Sequence, residues 1–331
     1  MDIPFISTDF INKQTDFSTL INAMRRGFGN KDIIIPMRHH HDFPNGEGNS
    51  DSTLLLMPAW NPGQDAGVKV VTVSPDNDRF NMPSIQGSYI YLDAEKGSVK
   101  AILEAKSLTA KRTAAASALA SSFLSRPDSK SLLMIGTGAL SSNLIMAHAA
   151  VRPINTVYVW GRDLSNAQQV CCHLKEATFE CLAISDYSEV IGKVDIISCA
   201  TLSKVPLVFG KELQTGQHID LVGAYRKDMR EADDAAITKA SVFVDTFQGG
   251  LKESGDILIP LTSGILDEKD VLADLFQMCS VNKPFRKSSK EITLFKSVGH
   301  AIEDLIAANY YYDKFINAYD YISKYIKQKE V

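Results

Sequence analysis

A short glycine-containing turn between an apolar segment and a helical run is the feature that most constrains the fold of this chain. The segment Leu132–Ile135 has the continuous apolar pattern of a buried strand. Gly136 permits a tight turn, Gly138 lets the backbone approach a pyrophosphate, and the small Ser141 lets the helix pack on the strand. The predicted phosphate-binding turn consists of Gly136, Thr137, Gly138, Ala139, Leu140 and Ser141.

The position of this turn predicts a dinucleotide ligand. A helix N-terminus presents free N–H groups and the positive end of a dipole, and both favour phosphate groups. Taken alone, the pattern could be a glycine-rich turn without a ligand. Because it joins an apolar strand to a helix within a series of β/α units, binding of a nicotinamide dinucleotide is the favoured interpretation.

Strand and helix patterns alternate in the second half of the chain. Apolar runs predict strands in SLLMIG, TVYVWG, ECLAIS, VDIISCA, HIDLVGA and SVFVDT. Such alternation predicts a doubly wound, mainly parallel sheet. The region 33–103 instead has short strand patterns separated by turn residues, and helices are predicted at 16–28, at 106–124 and at about 299–327.

The end of the second of these strands bears on the choice of cofactor. NAD-binding proteins usually place an acidic side chain there for the ribose hydroxyls, whereas NADP-binding proteins tend to place an Arg there for the 2′-phosphate. Arg162 follows this strand, and its planar guanidinium suits a phosphate. Asp163 comes next, and Arg162 could also be a solvated surface charge. The pattern favours NADPH, with NADH as the weaker alternative.

Composition and charge argue against several classes of function. The 331 residues are 45% hydrophobic and carry a net charge of -4, which gives no reason to expect a nucleic acid or an anionic membrane as partner. The first residues are not expected to be a secretory signal, and no apolar run reaches about 18 residues, the length of a membrane span. The five cysteines fit reduced thiols in a cytoplasmic protein. No metal site is expected, because consecutive residues of an extended His39–His41 segment point to opposite faces.

Three basic residues in the first part of the chain have unusual neighbours. Arg38 follows the apolar run IIIPM, Lys69 lies within the strand pattern GVKVVTV, and Arg112 lies near the start of an Ala-rich helix. Arg binds carboxylates with two parallel hydrogen bonds, and burial can tune a Lys for chemistry on an imine or a carbonyl. Taken singly, each is more often a surface charge or part of a structural ion pair, and sequence spacing alone does not bring the three together.

Seven segments, in order along nearly the whole chain, resemble the ornithine cyclodeaminase and μ-crystallin family. They are MPAW at 57–60, GVK at 67–69, LTAKRTAAASALA at 108–120, GTGALSSNL at 136–144, VYVWGR at 157–162, VGAYRKDMRE at 222–231 and SVGHAIEDLIAA at 297–308. This ordered set is much more specific than the dinucleotide turn alone.

The resemblance implies a fold and a division into domains. The fold is α/β, with a Rossmann-type, doubly wound NAD(P)-binding domain at 116–297. A second α/β domain, for substrate binding and dimerisation, is formed by residues 1–115 together with the returning helix in 298–331. A homodimer is therefore expected, because this second domain usually carries the dimer interface in the family.

The resemblance also implies roles for particular residues. Family members bind the substrate carboxylate with residues that match Arg38, Lys69 and Arg112, and Lys69 is the expected catalytic residue. The segment formed by Ser297, Val298 and Gly299 resembles the one that lies against the nicotinamide in relatives.

Departures from the family pattern indicate the substrate. Ornithine cyclodeaminases carry a Glu at the position of Leu55 and an Asp at the position of Tyr225, and these acids bind and deprotonate the amino groups of a diamino acid. The segments VGAYRKDMRE and SGDILIPL look more like the ketimine reductase branch, which includes Δ1-pyrroline-2-carboxylate reductases of hydroxyproline breakdown. The expected reaction is NADPH-dependent reduction of a cyclic imino acid, either Δ1-pyrroline-2-carboxylate to L-proline or Δ1-piperideine-2-carboxylate to L-pipecolate.

Two alternatives stay open at this point. One is another enzyme of the family, a cyclodeaminase or an amino-acid dehydrogenase, and the missing acids argue against the cyclodeaminase. The other is a non-catalytic NADPH-binding protein like the crystallin relatives, against which the retained Arg38, Lys69 and Arg112 argue. The sequence does not decide whether the imine nitrogen receives its proton from Lys69 or from water.

Overall fold

The chain contains two sheets of different character, each in its own compact unit. The computed structural model describes residues 3–46, 50–281 and 283–329, with side chains through residue 318. The first unit combines the chain up to Arg112 with the chain from Ala301 onward, and the second unit runs from Thr113 to His300. The sequence predicts the corresponding boundaries after residues 115 and 297.

A six-stranded sheet forms the framework of the first unit within the described residues. The elements are β1 (Phe5–Ile6), α1 (Thr8–Gln14), α2 (Phe17–Gly29), β2 (His39–Phe43), β3 (Ser52–Asn61), β4 (Asp65–Val73), a 3-10 helix (Pro75–Phe80), β5 (Ile85–Asp93), β6 (Val99–Glu104), the start of α3 (Ala105–Leu124) and α10 (Ala301–Lys329). The strand order is β1-β6-β5-β4-β3-β2, with β1 parallel to β6 and the remaining neighbours antiparallel.

One face of this sheet is covered by helices. Residues of β4 alternate between more and less buried positions along the first part of the strand, as a sheet with one covered face requires. The helix α10 packs against α2 and against β3, β4 and β5. Tyr89 and Tyr91 of β5 are fully buried, and Gly67 leaves room for the first of these rings, since a Cβ there would lie 2.3 Å from the Tyr89 hydroxyl. Lys69, in the middle of β4, therefore lies in a closely packed environment.

The second unit contains an eight-stranded sheet in which the strands pair in parallel. Its elements after α3 are β7 (Ser131–Ile135), α4 (Ser141–Val151), β8 (Thr156–Trp160), α5 (Leu164–His173), β9 (Glu180–Ile184), β10 (Ile196–Cys199), β11 (His218–Leu221), α6 (Asp234–Lys239), β12 (Ser241–Val244), α7 (Phe247–Gly250), α8 (Gly255–Thr262), a 3-10 helix (Glu268–Asp270), β13 (Val271–Asp274), α9 (Leu275–Ser280) and β14 (Thr293–Lys296). The strand order is β13-β12-β14-β11-β10-β7-β8-β9.

This arrangement confirms the predicted α/β fold with a doubly wound parallel sheet. The strands carry continuous apolar runs because helices cover both faces of such a sheet. Leu133, Ile197 and Ile219, from three neighbouring strands, all belong to the same buried cluster. The sequence analysis does not predict β13 and β14, which have the sequences VLAD and TLFK.

The two longest helices are α3 and α10. α3 has 20 residues, and from Ala114 to Ala120 every residue is buried, so small side chains allow close packing on all sides. α10 has 29 residues and carries acidic residues in its first turn. No helix among the described residues is both long and apolar enough to cross a membrane.

Candidate active site

The turn that follows β7 has the backbone conformation that a glycine requires. Gly136 has a φ of 119°, and a Cβ at this position would lie 2.6 Å from the carbonyl oxygen of Ala200, so a side chain is excluded on both counts. At Gly138 the same construction meets nothing within 4 Å, which leaves open space beside an exposed backbone. The first glycine serves the turn itself, and the second leaves access for a ligand.

Ser141 closes the turn and begins α4. Its buried hydroxyl donates to the carbonyl oxygen of Gly136 at 2.8 Å, and its backbone N–H donates to Gly138 at 3.1 Å. The N-cap residue Leu140 makes no side-chain hydrogen bond to the helix. The first N–H groups of α4 are therefore not capped by a side chain of that residue, which suits binding of a phosphate group.

A cleft of about 390 Å³ lies beside this turn. It is lined by residues at the carboxyl ends of β7, β8 and β10, among them Gly138, Arg162 and Thr201. In the sheet, β8 and β10 lie on opposite sides of β7, so the order in which the chain adds strands to the sheet reverses at β7. Ligands of doubly wound sheets bind at such a reversal, and the turn, the cleft and the helix N-terminus together fit a dinucleotide.

Arg162 and Asp163 have separate surroundings in the structure. Arg162 is exposed and lines the cleft. Asp163 is the N-cap of α5 and accepts a hydrogen bond from the backbone N–H of Ser165 at 2.8 Å. Hydrogen bonds from the Ser165 side chain and backbone lower the pKa of Asp163. Asp163, which left the choice of cofactor open in the sequence, thus caps a helix, whereas Arg162 lines the cleft.

A buried carboxylate fixes the segment Ser297–Gly299 after β14. One oxygen of Asp245 accepts the backbone N–H groups of Val298 and Gly299, each at 2.7 Å. The backbone N–H of Ser297 donates to Leu221 at 3.1 Å, and Gly299 has a φ of 83°. The segment therefore has a defined conformation at the carboxyl end of the sheet. Sequence reasoning identified the segment but missed Asp245, which lies more than fifty residues earlier.

In the first unit, Lys69 is a buried cation with a carboxylate partner. It is 3% exposed, and its ammonium nitrogen lies 2.8 Å from a carboxylate oxygen of the fully buried Asp304. Burial lowers the pKa of Lys69 to about 8, although the charge of Asp304 opposes this shift. A lysine with such a pKa can exchange a proton near neutral pH, which an exposed lysine does much less readily.

Arg112 meets the same carboxylate from α3. Its Nε donates to Asp304 at 3.1 Å, and its Nη1 donates to Glu303 at 2.7 Å. Both acids belong to the first turn of α10 and are almost fully buried. We call Lys69, Arg112, Glu303 and Asp304 the Asp304 cluster. Sequence reasoning missed its two acids, although an adjacent Glu and Asp stand out within the apolar segment SVGHAIEDLIAA.

Arg38 contributes to the electrostatics of this cluster. It lies just before β2 and is half-buried. Burial opposes ionisation of Asp304, but the charges of Lys69 and Arg112, with a smaller contribution from Arg38, hold the pKa of this carboxyl below its ordinary value. The structure thus brings Lys69 and Arg112 into contact with one carboxylate, and Arg38 adds a smaller electrostatic contribution. An incoming carboxylate could share or replace Asp304 and Glu303 as partners of these cations.

The parallel sheet, with a glycine turn and a cleft at its reversal point, defines a Rossmann-type α/β protein. Residues 10–318 match the model of the ornithine cyclodeaminase/mu-crystallin family. The chain belongs to this family, as the sequence resemblance predicts.

Three similar proteins illustrate the relationship. An uncharacterised protein of Schizosaccharomyces pombe is 40% identical, over 93% of this chain and 96% of its own length. A Δ1-pyrroline-2-carboxylate reductase of Paracoccus denitrificans is 35% identical, over 85% of this chain and 91% of its own. The Δ1-pyrroline-2-carboxylate reductase of Thermococcus litoralis, solved in complex with NADH and L-proline, is 32% identical with a TM-score of 0.87, over 96% of this chain and 98% of its own. The predicted similarity to the ketimine reductase branch is confirmed.

Proposed function

We propose that this protein is an NAD(P)H-dependent oxidoreductase that reduces the C=N bond of a cyclic imino acid. The expected substrate is Δ1-pyrroline-2-carboxylate, which gives L-proline, and Δ1-piperideine-2-carboxylate would give L-pipecolate. The observation that carries the proposal is the Asp304 cluster, in which a buried Lys69 with a lowered pKa shares Asp304 with the Arg112 guanidinium, a group suited to a carboxylate. The names of the Paracoccus and Thermococcus relatives support the same reaction.

The Asp304 cluster together with Arg38 accounts for binding of an imino acid. Arg38 and Arg112 bind the substrate carboxylate, since guanidinium groups match its two oxygens. The acids of α10 hold Arg112 in a fixed orientation before the substrate arrives. Preorganised donors of this kind reduce the cost of ordering side chains on binding.

Lys69 supplies the proton in this mechanism. When bound, the reduced nicotinamide supplies a hydride to the imine carbon that bears the carboxylate. The ammonium of Lys69 gives its proton to the imine nitrogen, so that the C=N bond becomes CH–NH and the amine product forms. Asp304 stabilises the ammonium form before transfer, and solvent restores the proton afterwards. A proton donor with a pKa near the working pH is efficient because it is both available and acidic.

The second unit binds the cofactor. The turn from Gly136 to Ser141 would hold the pyrophosphate, and the segment Ser297–Gly299 would contact the nicotinamide. Arg162 would bind the 2′-phosphate of NADPH, because it is exposed in the cleft while Asp163 caps the N-terminus of α5. NADPH is accordingly the preferred cofactor, and NADH, which the Thermococcus relative binds, is the weaker one.

We also propose a cytoplasmic homodimer. The first unit exposes apolar side chains that a partner subunit would cover, including Met37, Phe80 and Ile85, which are 65%, 66% and 54% exposed. All five cysteines are free, which agrees with a reducing compartment.

A turnover assay with purified protein tests the proposed function. The protein is incubated with NADPH or NADH and either cyclic imino acid, and the absorbance of the reduced cofactor and the formation of L-proline or L-pipecolate are followed. We expect oxidation of the cofactor in equal amount to the product. Ammonia release from ornithine, without oxidation of the cofactor by the imino acid, would instead establish a cyclodeaminase. Binding of NADPH without turnover of either imine would establish a non-catalytic binding protein.

A further inference from the structure

A single buried carboxylate in the second unit joins two loops at the carboxyl edge of the parallel sheet. Glu231 is fully buried. Its Oε1 accepts the backbone N–H and the hydroxyl of Thr201, at 2.6 and 2.9 Å, in the loop after β10. Its Oε2 accepts the backbone N–H groups of Gly223 and Ala224, at 2.8 and 3.2 Å, in the loop after β11. One side chain therefore satisfies four donors from two loops that follow neighbouring strands.

Glu231 is itself held by two further buried charges. Its backbone N–H, with that of Ala232, donates to Asp256 at 2.7 and 3.1 Å. Lys296 is the last residue of β14. Its Nζ lies 3.1 Å from Oδ2 of Asp256 and 3.9 Å from Oε2 of Glu231. These three charged side chains, which we call the Glu231 cluster, are fully buried. Such enclosure leaves the carboxylate of Glu231 little freedom to turn away from its donors.

The two loops approach each other and the glycine turn without intervening side chains. A Cβ at Gly223 would lie 2.0 Å from the backbone nitrogen of Thr201, and a Cβ at Gly136 would lie 2.6 Å from the carbonyl oxygen of Ala200. Ala200, Thr201 and Gly136 all line the cleft described above. A displacement of the Thr201 loop would therefore change the shape of the cleft and press on the glycine turn.

We propose that Glu231 is a positioning residue for the cofactor. It does not line the cleft, but it fixes the Thr201 loop at the spacing from the glycine turn that a dinucleotide requires. The inference rests on the proposed function in one respect, namely that the cleft takes NAD(P)H. No direct contact of Glu231 with cofactor or substrate is involved, and its effect is transmitted through the backbone N–H groups that it holds.

A matched control exists at the opposite edge of the same sheet. Asp195 precedes β10 and is half-buried. One of its oxygens accepts the backbone N–H groups of Lys130 and Ser131, at 2.7 and 3.0 Å, at the start of β7. Like Glu231, it is a carboxylate that joins backbone segments of adjacent strands, but it lies at their amino ends, away from the cleft.

The test compares Glu231→Gln, Glu231→Asp and Asp195→Asn in the full-length protein. Cofactor dissociation constants are measured by fluorescence titration with NADPH and NADH, and steady-state constants are measured for the imino acid. We expect Glu231→Gln to weaken binding of both cofactors about 10–100-fold, because the amide NH2 group would face backbone N–H groups without accepting from them and would release the Thr201 loop. The KM for the imino acid at saturating cofactor should change less than about 2-fold.

The other two variants separate positioning from general loss of stability. Glu231→Asp keeps the charge opposite Lys296 but is one methylene shorter, so it should fold and bind cofactor with an affinity between those of Glu231→Gln and the wild type. Asp195→Asn should lower the melting temperature and leave cofactor affinity within about 2-fold. The inference is overturned if both Glu231 variants bind cofactor like the wild type, or if Asp195→Asn weakens it equally. Failure of the wild type to bind NAD(P)H would refute the proposed function instead.

Discussion

The two units each contain a cluster of buried charges, and the clusters are satisfied in different ways. In the Glu231 cluster, the two carboxylates mainly accept hydrogen bonds from backbone N–H groups, which are part of the folded chain and cannot be replaced by a ligand. In the Asp304 cluster, the carboxylates accept hydrogen bonds from the side chains of Lys69 and Arg112. Breaking a buried pair by removing one partner is costly in either case, but only side-chain partners can be exchanged for a ligand.

This difference separates a structural use of buried charge from a chemical one. A carboxylate saturated by backbone donors stabilises one arrangement of loops and presents little charge to a ligand. A carboxylate paired with a lysine of lowered pKa leaves a proton that can move and cations that can turn to a substrate. Each of the following substitutions should therefore affect one unit's ligand and spare the other's.

Replacement of Lys69 by Met is expected to have the largest effect. Met preserves most of the side-chain volume but removes the proton and the charge, and positioned proton donors contribute about 10²–10⁴-fold to a rate. We expect kcat/KM for the imino acid to fall by about this factor in steady-state assays, while the dissociation constant of NADPH stays within about 2-fold. Retention of wild-type turnover by this variant would show that Lys69 is not the proton donor. The expected difference from Glu231→Gln, which should lower cofactor affinity, would then not hold.

Replacement of Arg162 by Ala tests the exposed end of the cofactor cleft. Hydrogen bonds to charged groups contribute about 1.5–3 kcal/mol, which corresponds to about 10–100-fold in affinity. NADPH should therefore bind about 10–100-fold more weakly in fluorescence titrations, whereas NADH should be nearly unaffected because it lacks the 2′-phosphate. Equal weakening of both cofactors would mean that Arg162 does not contact this phosphate.

The pH dependence of reduction tests the pairing of Lys69 with Asp304. A proton donor acts only while protonated, so kcat/KM should fall as pH rises through the Lys69 pKa of about 8. The charge of Asp304 raises that pKa against the effect of burial, so Asp304→Asn should lower it further and move the falling limb by about 1–3 units to lower pH. A limb that stays in place would assign the titration to another group. The profile is obtained from initial rates at saturating cofactor.

Local features of the fold and site could be predicted from the sequence, whereas long-range pairings could not. The glycine turn is readable because a strand, a tight turn and a helix start follow one another within a few residues. Lys69 stands out because an ammonium in an apolar strand needs a partner. That partner, Asp304, lies 235 residues further along the chain, and only the packing of α10 over β4 brings the two together. The same holds for Glu231, whose donors and neighbouring charges come from four separate segments of the chain.

The transfer of hydride to a cyclic imino acid is the central claim, and isotope transfer tests it most directly. The protein is incubated with Δ1-pyrroline-2-carboxylate and NADPH that carries deuterium at both C4 positions, and the product is analysed by mass spectrometry and NMR. We predict L-proline with deuterium at the carbon that bears the carboxylate, in equal amount to the cofactor oxidised. Absence of labelled proline, with all deuterium retained on the cofactor, would contradict the account.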